Sequence, residues 1–125
     1  MSKYGNIKTK ANINGEDIIF ASKAECIRAI FLTKLLNAGD IEDLIFQPAF
    51  EIQEKFKRNG KAIRAIKYIA DFKYIKDGDI IIEDVKGKKT SEYNIKKKMF
   101  LMKHGDGLRF FEVMSRDGNF KVIEI

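Results

Sequence analysis

Two apolar runs meet at Asp77-Gly78, and that junction constrains the fold more than any other feature of the chain. Asp-Gly between strand-like segments marks a two-residue type I′ hairpin loop, whose twist matches the flanking strands. Residues 63–75 are rich in Ile and aromatics and read as one long strand. Residues 80–86 read as a second, and their apolar start implies burial on both faces. If Asp77 and Gly78 form the loop, Lys76 pairs with Asp79, Ile75 with Ile80, Tyr74 with Ile81, and Asp71 with Asp84. Directly opposed residues have Cβ atoms about 4.5–5.5 Å apart. Lys86 lies two residues beyond Asp84 and leaves the same face of the sheet. Two carboxylates and an ammonium thus converge, whereas a bulge or a three-residue loop would part Asp71 from Asp84.

The rest of the chain reads in the same terms. Asn14-Gly15 is a hairpin signal between short strands at 10–13 and 16–20. Ser22-Lys23-Ala24-Glu25 has capping-box spacing and opens a helix over 23–37, with Ile27, Ile30, Phe31 and Leu35 in its apolar pattern and Gly39 as its stop. Residues 44–56 carry Pro48 and suggest a bent or edge strand, and Asn59-Gly60 is a further turn. Thr90 or Ser91 caps a second helix over 92–103, with Ile95, Met99 and Met102 on its apolar face. Strands at 108–114 and 120–125 close the chain around Asp117-Gly118. The order is hairpin, helix, three strands, helix, two strands. It predicts an α+β, or mixed α/β, domain with a central sheet.

At 125 residues the chain has the length of one domain, and residues 1–10 read as a flexible basic arm. A single cysteine, Cys26, forms no internal disulfide, which suits a reducing cytoplasm. No signal peptide is visible, and no run of about 18 apolar residues predicts a membrane span. The net charge of +6 is concentrated between Lys86 and Lys103, where seven lysines face only Glu92. Such a segment suits a polyanion, or is a solvated helix face.

Opposed carboxylates in a hydrophobic hairpin repel unless something compensates. Mg²⁺ or Mn²⁺ would do so, taking carboxylate oxygens, waters and substrate phosphate as ligands, and would polarise a scissile phosphate. Lys86 would orient or deprotonate a water, or neutralise transition-state charge. The plainer alternative is a surface cluster of Asp71, Asp84 and Lys86 without metal.

Asp71 followed by Asp84-Val85-Lys86 resembles the D…(D/E)-x-K signature of the PD-(D/E)-x-K nuclease superfamily. Restriction endonucleases, the endonuclease subunits of some transposases and Holliday junction resolvases belong to it. Ser22-Lys23-Ala24-Glu25, Phe46-Gln47-Pro48, Ala70-Asp71-Phe72 and Glu83-Asp84-Val85-Lys86-Gly87 together are similar to small phage-encoded proteins with that core. The similarity spans about residues 4–112. Ala70 stands where many members have proline, and Glu83 competes with Asp84 for the acidic position. Strand alternation favours Asp84, on the side of Lys86.

The resemblance implies a restriction-endonuclease-like core, with a central mixed sheet flanked by helices. It also implies a Mg²⁺-dependent DNA endonuclease, Holliday junction resolvase-like, at work in the cytoplasm of a phage's bacterial host. Asp71, Asp84 and Lys86 would then be catalytic, with the metal on the two aspartates. Glu25 is either a further ligand or only the helix cap. Lys88, Lys89, Tyr93, Lys96, Lys97 and Lys98 become candidates for DNA contact, and Gln47 for a supporting role. Branched DNA and a homodimer, which brings two sites to two strands, are the expected partners. The alternatives are a non-catalytic nucleic-acid-binding module, a nuclease subunit directed by a partner protein, or action on RNA. His104 has no companions from which to build a zinc site, and Cys26 is expected in the core.

Overall fold

The computed structural model describes residues 7–125, so most of the predicted arm lies outside the described residues. Thr9 and Lys10, its last part, belong instead to the first strand. A hairpin of β1 (Thr9–Ile13) and β2 (Glu16–Phe20) leads into α1 (Lys23–Ala38). Ser22 Oγ accepts from the Glu25 amide, and Gly39 ends the helix at φ 84°. Gly39 is thus in the left-handed region, where a side chain would be strained.

Seven strands follow where three were expected: β3 (Glu42–Phe46), β4 (Ala49–Gln53), β5 (Phe56–Arg58), β6 (Lys61–Ile63), β7 (Ile66–Ile69), β8 (Phe72–Lys76) and β9 (Asp79–Lys86). Helix α2 (Ser91–His104), capped by Thr90, then precedes β10 (Leu108–Arg116) and β11 (Asn119–Glu124). The main sheet has the order β11-β10-β9-β8-β3. Only β9 and β10 run parallel, joined by a crossover through α2, so the sheet is mixed.

The hairpin register is the one expected of a two-residue loop, from Lys76 opposite Asp79 to Phe72 opposite Glu83. Asp77 and Gly78 both have positive φ, as type I′ demands. The long strand expected over 63–75 is, however, broken twice. Residues 70–71 leave the main sheet at the level of Gln47-Pro48, with Gln47 N–H donating to the Asp71 carbonyl and Ala70 N–H to that of Pro48. Beyond this double bend the chain continues as a separate ribbon, β4 with β7, ending in the β5–β6 hairpin. Proline removes a ladder donor there, so the sheet cannot continue.

Each face of the sheet has its own core. One joins α1 and the first hairpin to Phe72, Tyr74, Ile81, Val85 and Val113, and includes the buried Cys26. The other joins α2, β4 and β7 to Ile82 and Phe110 through Ile52, Tyr68, Tyr93 and Phe100.

Both helices turn a different stripe inward from the one their apolar spacing suggests. Helix α1 buries Cys26, Ala29, Leu32 and Thr33, while Ile27, Ile30 and Phe31 are exposed. Helix α2 buries Tyr93 and Phe100, while Ile95, Met99 and Met102 face outward, Met102 at 93% exposure. The reason lies in two buried glutamates. Glu83 draws Arg28 inward from α1, with Arg28 Nε and Nη2 at 2.8 and 2.9 Å from its oxygens. Glu112 draws Tyr93 and Lys97 inward from α2. A buried charge left unpaired costs more than an exposed Ile or Met, so the charges decide the rotation. No helix among the described residues is long and apolar enough to cross a membrane.

Candidate functional site

Strand alternation divides β9. Glu83 and Val85 face α1, and Asp84 and Lys86 face α2, as expected from sequence. Asp84 is fully buried. Its Oδ2 accepts from the Tyr68 hydroxyl on β7, and its Oδ1 lies 3.0 Å from Lys86 Nζ.

The direct cross-strand pairing expected of Asp71 with Asp84 does not form. The ladder stops at Phe72 opposite Glu83, and Asp71 N–H donates to the Glu83 carbonyl. The Asp71 side chain then does what a backbone carbonyl would have done, its Oδ2 accepting from Val85 N–H at 2.6 Å. The bend into β7 forces this exchange. It leaves Asp71 beside Asp84 but locks one of its oxygens.

Glu25 comes to the same place from α1. Its amide is capped by Ser22, while its carboxylate reaches back to the Ala21 amide rather than to that of Ser22. The same carboxylate feels both Lys86 and Asp84, so Glu25 serves the helix end and also faces the cluster. Burial raises its pKa, outweighing the Ala21 amide and Lys86, and Asp84 raises it further.

Asp71 carries the heaviest electrostatic load. Burial, then Asp84 and Glu25, push its pKa up to about 9, against the pull of the Val85 amide and Lys86. Burial works against the Lys86 ammonium, but Asp84, Asp71 and Glu25 more than compensate and raise its pKa. Lys86 is therefore a cation, resting 4.4 Å from the centre of the Tyr93 ring.

A fourth carboxylate continues the cluster. Glu112 is the register partner of Asp84 on β10, fully buried on the same face. Lys89 lies 2.8 Å from its Oε1; Lys97 and the Tyr93 hydroxyl lie 3.1 and 2.7 Å from its Oε2. Burial opposes ionisation of Glu112, but these three donors together lower its pKa. Three of the residues proposed to grip phosphate thus turn their polar ends to Glu112. Lys96 pairs with Glu92 at 3.2 Å, Lys98 is exposed, and Lys88 lies on the exposed loop before α2. Gln47 directs its side chain away from the carboxylates, donating to the Ile19 carbonyl at 3.3 Å. His104 binds the Glu51 carbonyl through Nε2 at 2.7 Å.

Sequence reasoning missed Tyr68, Glu112 and the Arg28–Glu83–Tyr74 cluster. The available signal was a lone acid inside an apolar strand, Phe110-Phe111-Glu112-Val113, since such an acid is rarely buried without partners.

Asp71, Asp84 and Glu25 are oxygen donors of the kind a hard divalent cation takes, and burial, with Asp84 and Glu25 nearby, favours a proton on Asp71 that a bound cation would displace. Among the described residues no three such groups are gathered closely enough to hold a metal ion, and Asp71 Oδ2 and Asp84 Oδ2 are engaged by the Val85 amide and the Tyr68 hydroxyl. A consequence is measurable without substrate. A carboxyl whose pKa rises from 3.8 to about 9 on folding holds a proton that the unfolded chain has lost between those values. Stability therefore falls as pH rises through that window, by at most about 1.4 kcal/mol per pH unit for one proton. Denaturant titrations from pH 5 to 9 should show this slope, and Asp71→Asn should flatten it. An unchanged slope in the variant would place the titrating proton elsewhere.

The fold and the site define an α+β protein whose mixed sheet gathers buried carboxylates and lysines on one face of adjacent strands. Residues 1–117 match the family described as "Protein of unknown function (DUF1064)", and the chain belongs to that family. Comparison with curated proteins returns no match. Among solved structures the chain is similar to that described as "Crystal structure of SSO0001", at 14% identity and a TM-score of 0.47. The match covers 80% of this chain and 48% of the other, so this chain spans about half its length.

Proposed function

We propose that this protein is a metal-dependent DNA endonuclease with a restriction-endonuclease-like core, acting on branched DNA in the manner of a Holliday junction resolvase. One observation carries the reading: Glu25 from α1, Asp71 from the bend before β8, and Asp84 and Lys86 from β9 act electrostatically on one another. Elements far apart in sequence do not bring three carboxylates and a lysine within electrostatic reach of one another without cost. A cation bound there offsets that cost.

Asp71, Asp84 and Glu25 would hold Mg²⁺ or Mn²⁺, which supplies polarisation of the scissile phosphate and a more acidic water. Tyr68 orients Asp84 through its hydroxyl. Lys86, kept cationic by its neighbours, offsets charge that builds on the phosphate during cleavage. Lys89 and Lys97 hold Glu112 in the adjacent register position and leave the strand pair intact. A homodimer would cut two strands, one site to each.

The direct experiment incubates the protein with a labelled four-way junction, a linear duplex and single strands, in Mg²⁺, Mn²⁺ or EDTA. Paired cuts in the junction, present with metal and absent in EDTA, are the expected result. Metal-dependent cutting without junction preference would remove the resolvase and keep the nuclease. A second reading, a nucleic-acid-binding module without cleavage, draws on the locked oxygens of Asp71 and Asp84. It predicts DNA binding equal in Mg²⁺ and EDTA, and no cutting in either.

A further inference from the structure

Lys96 and Lys97 of α2 are held by Glu92 and Glu112 and leave Lys98 and Lys103 exposed, whereas six other cations lie on the ribbon that carries Tyr68. They are Lys55, Lys57, Arg58, Lys61, Arg64 and Lys67, all exposed and none in an ion pair among the described residues. Residues 55–67 contain no acidic residue, and only Lys67 has one as its cross-strand partner, Glu51. The outer part of the ribbon, β5 with β6, turns at Asn59-Gly60, and every residue of the two strands is exposed.

A three-residue strand pair with no covering layer is marginal by itself. This one also places Arg58 directly opposite Lys61, a like-charge pair that weakens a hairpin. Beneath it Phe56 pairs with Ile63 on the same face, and Phe56 is 46% exposed. Charge repulsion at the tip of an uncovered hairpin is relieved when an anion lies between the side chains. Among the described residues no carboxylate pairs with Arg58 or Lys61.

We infer that the β5–β6 hairpin is an arm that enters the major groove of duplex DNA, with its cations on the flanking phosphates. The inference deepens the proposed function and rests on it for the choice of DNA. The dimensions agree: three residues of strand rise about 10 Å, and the major groove is about 8.5 Å deep and 12 Å wide, enough for a two-stranded ribbon. The narrow major groove of an RNA duplex does not admit it. Through β4 and β7 the arm is continuous with Tyr68, whose hydroxyl meets Asp84. DNA held by the arm therefore passes near the carboxylates.

The test is a fluorescence-anisotropy titration of a labelled linear DNA duplex in EDTA, between 50 and 200 mM salt. Each phosphate contact contributes about 0.9 to the slope of log affinity against log salt. The variant Lys57→Ala/Arg58→Ala/Lys61→Ala/Arg64→Ala is expected to lower that slope by about 3–4 and to weaken binding on the order of 10²-fold or more at 0.1 M salt. Arg58→Gln/Lys61→Gln, which removes the charge but keeps a polar side chain, should lower the slope by about 2. A charge-matched control, Lys34→Ala/Lys76→Ala/Arg116→Ala/Lys121→Ala, should keep the slope. Circular dichroism melts should show all three variants folded, since the altered side chains are exposed. An unchanged slope in the hairpin variants, an equal loss in the control, or equal affinity for an RNA duplex would overturn the arm. Because the titration needs no metal and no cleavage, its outcome is independent of whether Asp71, Asp84 and Lys86 form a catalytic centre.

Discussion

Asp84→Asn is expected to lower metal-dependent cleavage by more than about 10²-fold, since loss of even an outer-shell partner of a bound metal costs roughly 10–100-fold. The substitution keeps side-chain volume and leaves an oxygen for the Tyr68 hydroxyl. It removes the carboxylate that crowds Asp71, so the Asp71 pKa should fall. Lys86 keeps Asp71 and Glu25 as countercharges, so the fold should survive. Turnover on the preferred DNA and a melting curve, taken together, check both halves. Glu83→Gln is the informative contrast, one residue away but on the opposite face: it should lower the melting temperature without abolishing turnover. Undiminished cutting by Asp84→Asn would end the assignment of this cluster as the catalytic centre.

The largest effect on stability is expected from Arg28→Ala. Glu83 is fully buried and receives the Arg28 guanidinium through two hydrogen bonds and the Tyr74 hydroxyl through a third. Removing the arginine leaves a buried carboxylate with one neutral donor, a loss of about 3–5 kcal/mol. For a chain of this length that lowers Tm by about 10–20 °C. The triple change Arg28→Met/Glu83→Leu/Tyr74→Phe should recover most of it, because an apolar replacement of a whole buried pair is often neutral. A cavity of about 350 Å³ borders these residues, between Arg28, Tyr74, Glu83 and Arg109. If Arg28→Ala lost less than about 3 °C, water from that cavity would be solvating Glu83. Thermal melts of the single and triple variants separate the outcomes.

Local chemistry made the element boundaries legible. Ser22 and Gly39 bracket α1, Thr90 opens α2, and Asn14-Gly15, Asn59-Gly60, Asp77-Gly78 and Asp117-Gly118 all turn with positive φ at both residues. Each of these signals acts over a few residues and needs no distant partner. The register of β8 on β9, and the sorting of Glu83 from Asp84, follow from a loop length and a period of two.

Rotation of the helices was not legible in the same way. Ile27, Ile30 and Phe31, or Ile95, Met99 and Met102, make a better apolar stripe on paper than the residues that are buried. The break in the second β run was hidden too, because Ile66–Ile69 and Phe72–Lys76 share one composition although they belong to different sheets.

From its sequence alone this protein's turns, caps, helix limits and the shared face of Asp84 and Lys86 are determined, because hydrogen bonds between near neighbours and strand alternation set them. Tertiary structure alone decided which helix face turns inward and which lysines are occupied. It also turned Asp71 onto the Val85 amide and brought Tyr68 and Glu112, which the sequence did not single out, into the cluster. The physical reason is that a buried carboxylate must find its partners in space, and the cost of leaving it without them outweighs the apolar pattern written along the chain.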